Sequence, residues 1–511
     1  MSALEPTTYK SFKPIENYEK AFEYELFYFN FRNLGSKYLL VNDTGEYIYC
    51  TASQLQRLIH KQLEYSTDNT FILELLNKQF IYLHSDTFAV ERKSIKYRTK
   101  KRFLFTGPVL HLFVVTTRCQ HKCLYCQITP QSENAKEFDM SLDTARKAVD
   151  MMMKSPSMHI TAEFQGGETL LAFDVVKEIV LYTEQLNEVY QKDIQFVIAT
   201  SLVDVTVEQL DFIKEHKILI STSLDGDEAL HNSNRPIRSQ NTYQKFLAGM
   251  ALARSVVGHD SVSPLLTTSK ASLGKLPIII NEYMKHGHHS ISLRALSPYG
   301  FAVKTFSTIG YSLDEFLKFY FEGLEYIIEL NKQGTYFRED FLTLLLKRIL
   351  TPYSTGYVDL QSPSGAGVSA VAYHYNGEIY PADEARMLAE MGDNNFSLGN
   401  VYESSFNDIF QSKQLEIIIQ DSCAESMNGC SDCAYLPYCG ADPLFNYVKQ
   451  GDHYGHRPTS DFCKRQTKIF DYLFSVLESE DKETIDIFWS WIDGNPLINK
   501  NITEEEVQQV C

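Results

Sequence analysis

Hydrophobic and polar positions change their rhythm along the 511 residues, and the changes mark out the elements. Residues 22–50 carry short apolar and aromatic runs, FYFNF and KYLLV, then the turn DTGE, then YIYC. Turn chemistry between β-rich runs predicts a small antiparallel sheet. ASQLQRLIHKQL and TFILELLNKQFIYL follow with apolar residues at helical spacing. The basic stretch ERKSIKYRTKKR (91–102) reads as a link. From Val109, short apolar strands alternate with amphipathic helices: HLFVVT, helix 141–154, HITAEFQ, helix 174–190, IQFVIAT, helix 207–216, ILISTSLDG, helix 241–255, PLLTTS, helix 274–286 and HSISLRAL. This β–α alternation predicts an α/β fold whose parallel sheet curves into a full or partial barrel. Active sites in such barrels sit at the C-terminal strand ends. Residues 312–350 read as two helices and 353–369, rich in Gly, Ser and Pro, as a loop. The expected division is 1–100 (small sheet plus helices), 101–310 (barrel), 311–365 (helical connector), 366–475 (cysteine-rich domain) and 476–511 (acidic helical tail).

Composition narrows the classes. Hydrophobic residues make up 44% and charged residues 22%, ordinary for a globular protein. The net charge of −17 argues against nucleic acid as the main partner, because phosphate neutralisation needs a basic face. The longest apolar runs, such as the one around Val109–Val115, are too short to span a membrane. The opening MSALEPTTYKSFKPIENYEK lacks the apolar core of a secretion signal, so the expected location is the cytoplasm.

The ten cysteines bring in the chemistry. Three lie within eight residues and five within 423–463, which in a reducing compartment reads as metal ligation rather than a disulfide framework. In TTRCQHKCLYCQ, Cys119, Cys123 and Cys126 directly follow the first barrel strand. Three thiolates at this spacing can wrap one [4Fe–4S] cubane and leave its fourth iron open. An open iron can take the amino and carboxylate groups of S-adenosylmethionine (SAM), and an electron delivered to the sulfonium then yields a 5′-deoxyadenosyl radical. A structural zinc is the alternative, though it wants a fourth ligand. After the second strand comes QGGET, where Gly166 and Gly167 let backbone carbonyls approach a ligand and Glu168 follows. Alone, GGE is a turn signal.

CxxxCxxC after strand one with GGE after strand two resembles the radical SAM superfamily. Ser201 at the end of the third strand, SLDGDEALHNSNRP after the fourth and LRALSPYG around Arg294 agree with it. The resemblance implies that Tyr125, Gly166, Gly167, Glu168, Ser201 and Arg235 bind the cofactor, with Ser201 and Arg235 on its ribose or carboxylate. Outside the resemblance, Ser201 reads equally as a helix N-cap and Arg235 as a surface ion-pair partner. Cys430, Cys433, Cys439 and Cys463 resemble the SPASM extension of peptide-modifying radical enzymes, which implies an auxiliary [4Fe–4S] cluster. Four thiolates also suit zinc. A full extension carries a further, inner cluster, but two of the positions expected to ligate it hold Ala382 and Pro443, and no Cys lies between 127 and 422. The expectation is two clusters, not three. Cys423 reads as an ordinary buried thiol, and Cys50 and Cys511 carry no motif. By resemblance Asp383 is a candidate general base; its plain reading is a capping or ion-paired Asp.

The N-terminal unit looks like the winged-helix modules that capture a leader peptide as an added strand, or else a structural cap. FNFRNLGSKYLLVNDTGEYIY and CGADPLFNYVKQGDHYGHRPTSDFC together resemble the maturase of the His-Xaa-Ser peptide system. That implies cross-linking or oxidation of a ribosomal precursor peptide, an electron donor such as flavodoxin or ferredoxin, and a possible second radical SAM maturase as partner. The rivals are a sulfatase-type maturase of a protein side chain, a small-molecule enzyme, or a non-catalytic iron–sulfur or zinc protein in a peptide-modifying complex.

Overall fold

A computed structural model of the chain describes residues 23–238 and 240–497. The opening polar stretch, the end of the expected acidic tail and Cys511 lie outside the described residues. The described residues divide into two compact units, residues 23–99 with 432–437, and the remainder.

The first unit carries an antiparallel sheet whose strands run in the order Phe29–Asn33, Tyr38–Asn42, Tyr47–Cys50. Thr51 and Gln54 form a reciprocal cap on the following helix, Ala52–Ile59. Its Leu58 packs with Ile72 and Leu75 of the next helix, Tyr65–Asn77, and with Leu40 and Ile48 of the sheet. The basic stretch is not a link: Ala89–Lys100 is a helix. Lys93 on that helix is 6% exposed and pairs with Asp43 at 2.8 Å, which is how a cation in a basic run comes to be buried.

The second unit is built on parallel strands β1 (Leu110–Thr116), β2 (His159–Gly166), β3 (Asp193–Ala199), β4 (Leu219–Ser223), β5 (Val262–Thr267) and β6 (Leu293–Arg294), in spatial order β6-β5-β4-β3-β2-β1. Helices Leu142–Met153, Phe173–Tyr190, Val207–Glu215, Thr242–Val257 and Leu276–Lys285 make the crossovers, as the β–α alternation predicts. The sheet continues past β1 into β7 (Ala370–Tyr373), parallel to it, and the antiparallel β8 (Glu378–Tyr380) and β9 (Gly399–Asn400). The cysteine-rich segment is thus seeded on the barrel's own edge. Along β2, Ile160, Ala162 and Phe164 are buried while Thr161, Glu163 and Gln165 are half-buried. Alternation of this kind puts one row beneath the crossover helices and the other on the opposite face. Helices Glu228–Asn234 and Phe301–Ile309 fall where the pattern marked no element. No helix among the described residues is long and apolar enough to cross a membrane.

Candidate active site

The cysteine loop leaves β1 and is fastened from three sides. Cys119 N–H donates to Gln131 O at 3.1 Å, which closes the loop on itself. Lys122 and Leu124 N–H donate to Pro236 O and Asn234 O, both at 2.9 Å. At the start of helix Phe301–Ile309, Ala302 N–H donates to Cys126 O at 2.9 Å. Cys123 and Cys126 share a small apolar cluster with Tyr125, Ala302 and Ile309. Burial raises all three thiols, Cys119 well above its usual range and Cys126 to about 12, and the charge of Cys123 adds to the rise at Cys119 and Cys126. Thiolates here are costly until a cation shares their charge.

Gly166 and Gly167 owe their place to the backbone beside them. Gly166 has φ +139°, and a Cβ on it would stand 1.8 Å from Thr116 O. A Cβ on Gly167 would stand 2.1 Å from Arg118 O. Their turn is stitched to the end of β1 by Gly167 N–H to Thr116 O (2.9 Å) and Glu168 N–H to Arg118 O (2.7 Å). Glu168 is 2% exposed, and its carboxylate accepts from Thr200 Oγ1 at 2.6 Å and from both the N–H and the hydroxyl of Ser201. Ser201 caps no helix; it and Glu168 tie the end of β3 to the end of β2.

Arg235 is not a surface ion-pair partner. It is half-buried, and its Nη1 donates to Tyr125 Oη at 2.8 Å. That hydroxyl lies 2.8 and 2.7 Å from the two carboxylate oxygens of Asp225, a fully buried residue. Burial lifts the Asp225 carboxyl to about 6, against the pull of Arg235. Sequence reasoning quoted SLDG without singling out Asp225; an acid two residues past a strand end was the available signal.

Asp383 opens helix Asp383–Glu390. Its Oδ1 takes Arg386 Nε at 3.0 Å and a second bond from the same guanidinium. It also adds charge to Glu163 on β2. Ala382, which stands where an inner cluster's ligand was expected, packs in an apolar cluster with Tyr299, Ala385 and Leu444, the neighbour of Pro443. Of the C-terminal cysteines, Cys463 sits in the first turn of helix Asp461–Ser479 and takes Ser460 Oγ on its N–H at 3.3 Å. The Cys439 thiol lies beside Gly440 O at 3.4 Å. Cys430, Cys439 and Cys463 belong to the second unit and Cys433 to the first. Cys423 is half-buried, its thiol 3.5 Å from Glu425 Oε2.

Among the described residues, no three His, Cys, Asp or Glu side chains converge as they would around a single ion. A cubane spreads its thiolates over separate irons and asks for a wider set. The cysteine loop fits such a group. It is rich in thiols and fixed in course, and Thr117 Oγ1 and Gln120 Oε1 beside Cys119 are buried without a partner among the described residues.

Residues 113–266 match the Radical SAM superfamily, and residues 366–434 match SPASM, an iron-sulfur cluster-binding domain. Fold and site together define an enzyme of the radical SAM type, with a [4Fe–4S] cluster, an auxiliary cluster and SAM as its cofactors. More particularly, a radical SAM domain is followed in one chain by a SPASM iron–sulfur domain. An uncharacterized protein of Methanocaldococcus jannaschii is 29% identical over 44% of this chain and 72% of its own length. The cysteine-type anaerobic sulfatase-maturating enzyme of Clostridium novyi is 21% identical over 71% of this chain and 94% of its own. Among solved structures, anSMEcpe with bound AdoMet superposes with a TM-score of 0.59 at 17% identity, covering 75% of this chain and 99% of that one. Streptococcus suis SuiB bound to its precursor peptide SuiA gives 0.51 at 14%, covering 85% and 98%. At these identities the structures speak for the fold.

Proposed function

We propose that this maturase reductively cleaves SAM and uses the resulting radical to abstract hydrogen from a ribosomally made precursor peptide, which it then cross-links or oxidises. The observation that carries the reading is the cysteine loop fastened at the end of β1 beside the buried Tyr125–Asp225–Arg235 set. Cys119, Cys123 and Cys126 would hold the first cluster, which supplies the electron for SAM cleavage when bound. Gly166, Gly167, Glu168, Ser201, Arg235 and Tyr125 would frame SAM. Within that frame Glu168 is fixed by β3 and Arg235 is kept charged beside Asp225. Cys430, Cys433, Cys439 and Cys463 would hold the auxiliary cluster. Asp383 would take the proton released as the substrate is oxidised, with Arg386 holding Oδ1 so that the base has one orientation.

The peptide substrate draws support from SuiB, whose solved complex contains the precursor peptide SuiA, and from anSMEcpe, solved with the Cp18Cys peptide. The outer strand of the first unit, Phe29–Asn33, is part-exposed and is the strand beside which a leader peptide would add. A His-Xaa-Ser repeat peptide is the specific substrate we favour, with a flavodoxin or ferredoxin as electron donor, a second radical maturase as possible partner and the cytoplasm as location. The second reading is a protein-side-chain maturase, favoured by the Clostridium novyi relative, which matches over nearly its full length. The test is anaerobic reconstitution followed by reduction with SAM, alone, with a His-Xaa-Ser repeat precursor, or with a sulfatase-derived cysteine peptide. We expect 5′-deoxyadenosine in every wild-type sample and a mass change of the repeat peptide only. Modification of the sulfatase peptide instead would select the second reading, and no 5′-deoxyadenosine would sink both.

A further inference from the structure

Three carboxylates distant in sequence lie near the candidate base's helix, and near enough to repel one another. Asp359 lies in the turn Val358–Leu360, Glu384 is the second residue of helix Asp383–Glu390, and Asp442 caps helix Pro443–Gln450. Backbone packing brings their segments together. Gly440, two residues before Asp442, presses on the 359–361 turn so closely that a Cβ would stand 2.4 Å from Asp359 O. Ala382, Ala385, Tyr299 and Leu444 share the apolar cluster that joins the Glu384 helix to the Asp442 helix. Burial comes first in raising all three carboxyls, and repulsion comes next for Asp359 from Asp442 and for Glu384 from Asp359. Asp442 is raised in turn by Glu384. Arg294 and Arg465 are within reach and pull the other way without restoring the ordinary range.

Tyr299 supplies the independent observation. It is 3% exposed, its hydroxyl has no hydrogen-bond partner among the described residues, and that hydroxyl feels Asp442, Glu384 and Asp359 together. Carboxylates accept only, and so can an unpartnered phenol oxygen. Arg294 and Arg465 offset two of the three acids, and the third, with the Tyr299 oxygen, calls for a further donor-rich cation. Among the described residues no three such groups converge tightly enough for a metal ion, whereas a guanidinium or ammonium brings several donors over a wider span.

We propose that Asp359, Glu384, Asp442 and the Tyr299 hydroxyl form a subsite for a positively charged side chain of the peptide substrate, an arginine or a lysine. The subsite rests on the peptide reading above and adds a substrate class to it. Glu384 adjoins Asp383, so a cation seated here sets a neighbouring substrate residue before the candidate base. An acid cluster stands where the inner cluster's cysteines were expected, exchanging a redox group for a recognition group.

The test is calorimetric titration of the reconstituted enzyme with SAM present, using N-acetyl-arginine amide, N-acetyl-lysine amide and N-acetyl-citrulline amide, the neutral isostere of the first. A charged probe should bind at least about tenfold more tightly than citrulline amide. Glu384→Gln and Asp442→Asn should each abolish that preference; Asn still caps a helix, and iron per chain reports folding. Equal binding of arginine, lysine and citrulline amides, no binding of either charged probe, or a preference that survives both substitutions would overturn the subsite. SAM cleavage is followed in the same samples. Cleavage without charge preference refutes the subsite alone, and absence of cleavage refutes the radical reading.

Discussion

Glu390 joins the helix that begins at Asp383 to the cysteine loop: its Oε2 accepts the Thr129 N–H at 2.9 Å while its Oε1 takes Arg386 Nη1 at 2.9 Å. Arg386, 1% exposed, holds Asp383 at its other end. One chain of charge-assisted bonds therefore runs from the candidate base to the loop carrying the three thiols. Glu390→Ala should lower stability by about 1–3 kcal/mol, the cost of leaving a buried donor unmet. It should also reduce iron retained by the first site. Thermal melting and iron per chain, compared with Glu390→Gln, check this; an unchanged iron content would mean the loop needs no support from that side.

Iron counting separates the two cysteine sets. After anaerobic reconstitution the wild type should carry about 8 iron, and a Cys119/Cys123/Cys126→Ala triple variant about 4, at four per cubane. About 12 in the wild type would show that Ala382 and Pro443 have not emptied the inner site.

The glycine turn should tolerate no side chain. Gly167→Ala sets a Cβ against a backbone carbonyl that cannot swing away. We expect a loss of several kcal/mol, at the upper end of single substitutions, and no first-site iron. A well-folded, iron-loaded Gly167→Ala protein would contradict the packing of β2 against the loop.

Tyr125→Phe removes the hydroxyl between Asp225 and Arg235 and takes one donor from a buried carboxylate, which keeps Asn234 and the Thr267 backbone. The expected cost is about 1–3 kcal/mol in stability, with weaker SAM binding at unchanged iron content. Calorimetric titration with SAM reads the second effect, and an unchanged affinity would remove this trio from the cofactor frame.

A pH dependence follows from Glu339, fully buried, whose carboxylate accepts from Leu293 N at 3.0 Å, Tyr320 Oη at 3.0 Å and Leu342 N. Burial raises its carboxyl from 4.5 to about 7. The folded state then holds a proton that the unfolded state has already released between these values. The contribution is complete below pH 4.5 and is lost as pH rises towards 7, by about 3 kcal/mol in all. Glu339→Gln cannot titrate, so the stability difference, wild type minus variant, should fall between pH 5 and pH 7.5 in urea melts. A difference independent of pH would refute the assignment.

Much of this was legible in the sequence because it is local. The β–α alternation sets the crossover helices within a few residues of their observed ends, and the cysteine spacing and GGE mark the ends of β1 and β2. What was not legible depends on partners remote in the chain. Helix Ala89–Lys100 has too few apolar positions to announce itself, and its one buried cation is explained by Asp43. Glu390, Asp225 and the Asp359–Glu384–Asp442 group acquire meaning only when turns far apart in sequence are folded together. The glycines of GGE were read for their effect on a ligand, whereas the carbonyls of Thr116 and Arg118 already require them.

The course of the cysteine loop is drawn by Gln131 O, Pro236 O, Asn234 O and the Ala302 N–H, bonds to which iron contributes nothing. These bonds belong to the fold itself, so they would carry part of the ordering that cluster binding would otherwise have to supply. A chain whose cluster has been destroyed by oxygen would keep the shape of its nest.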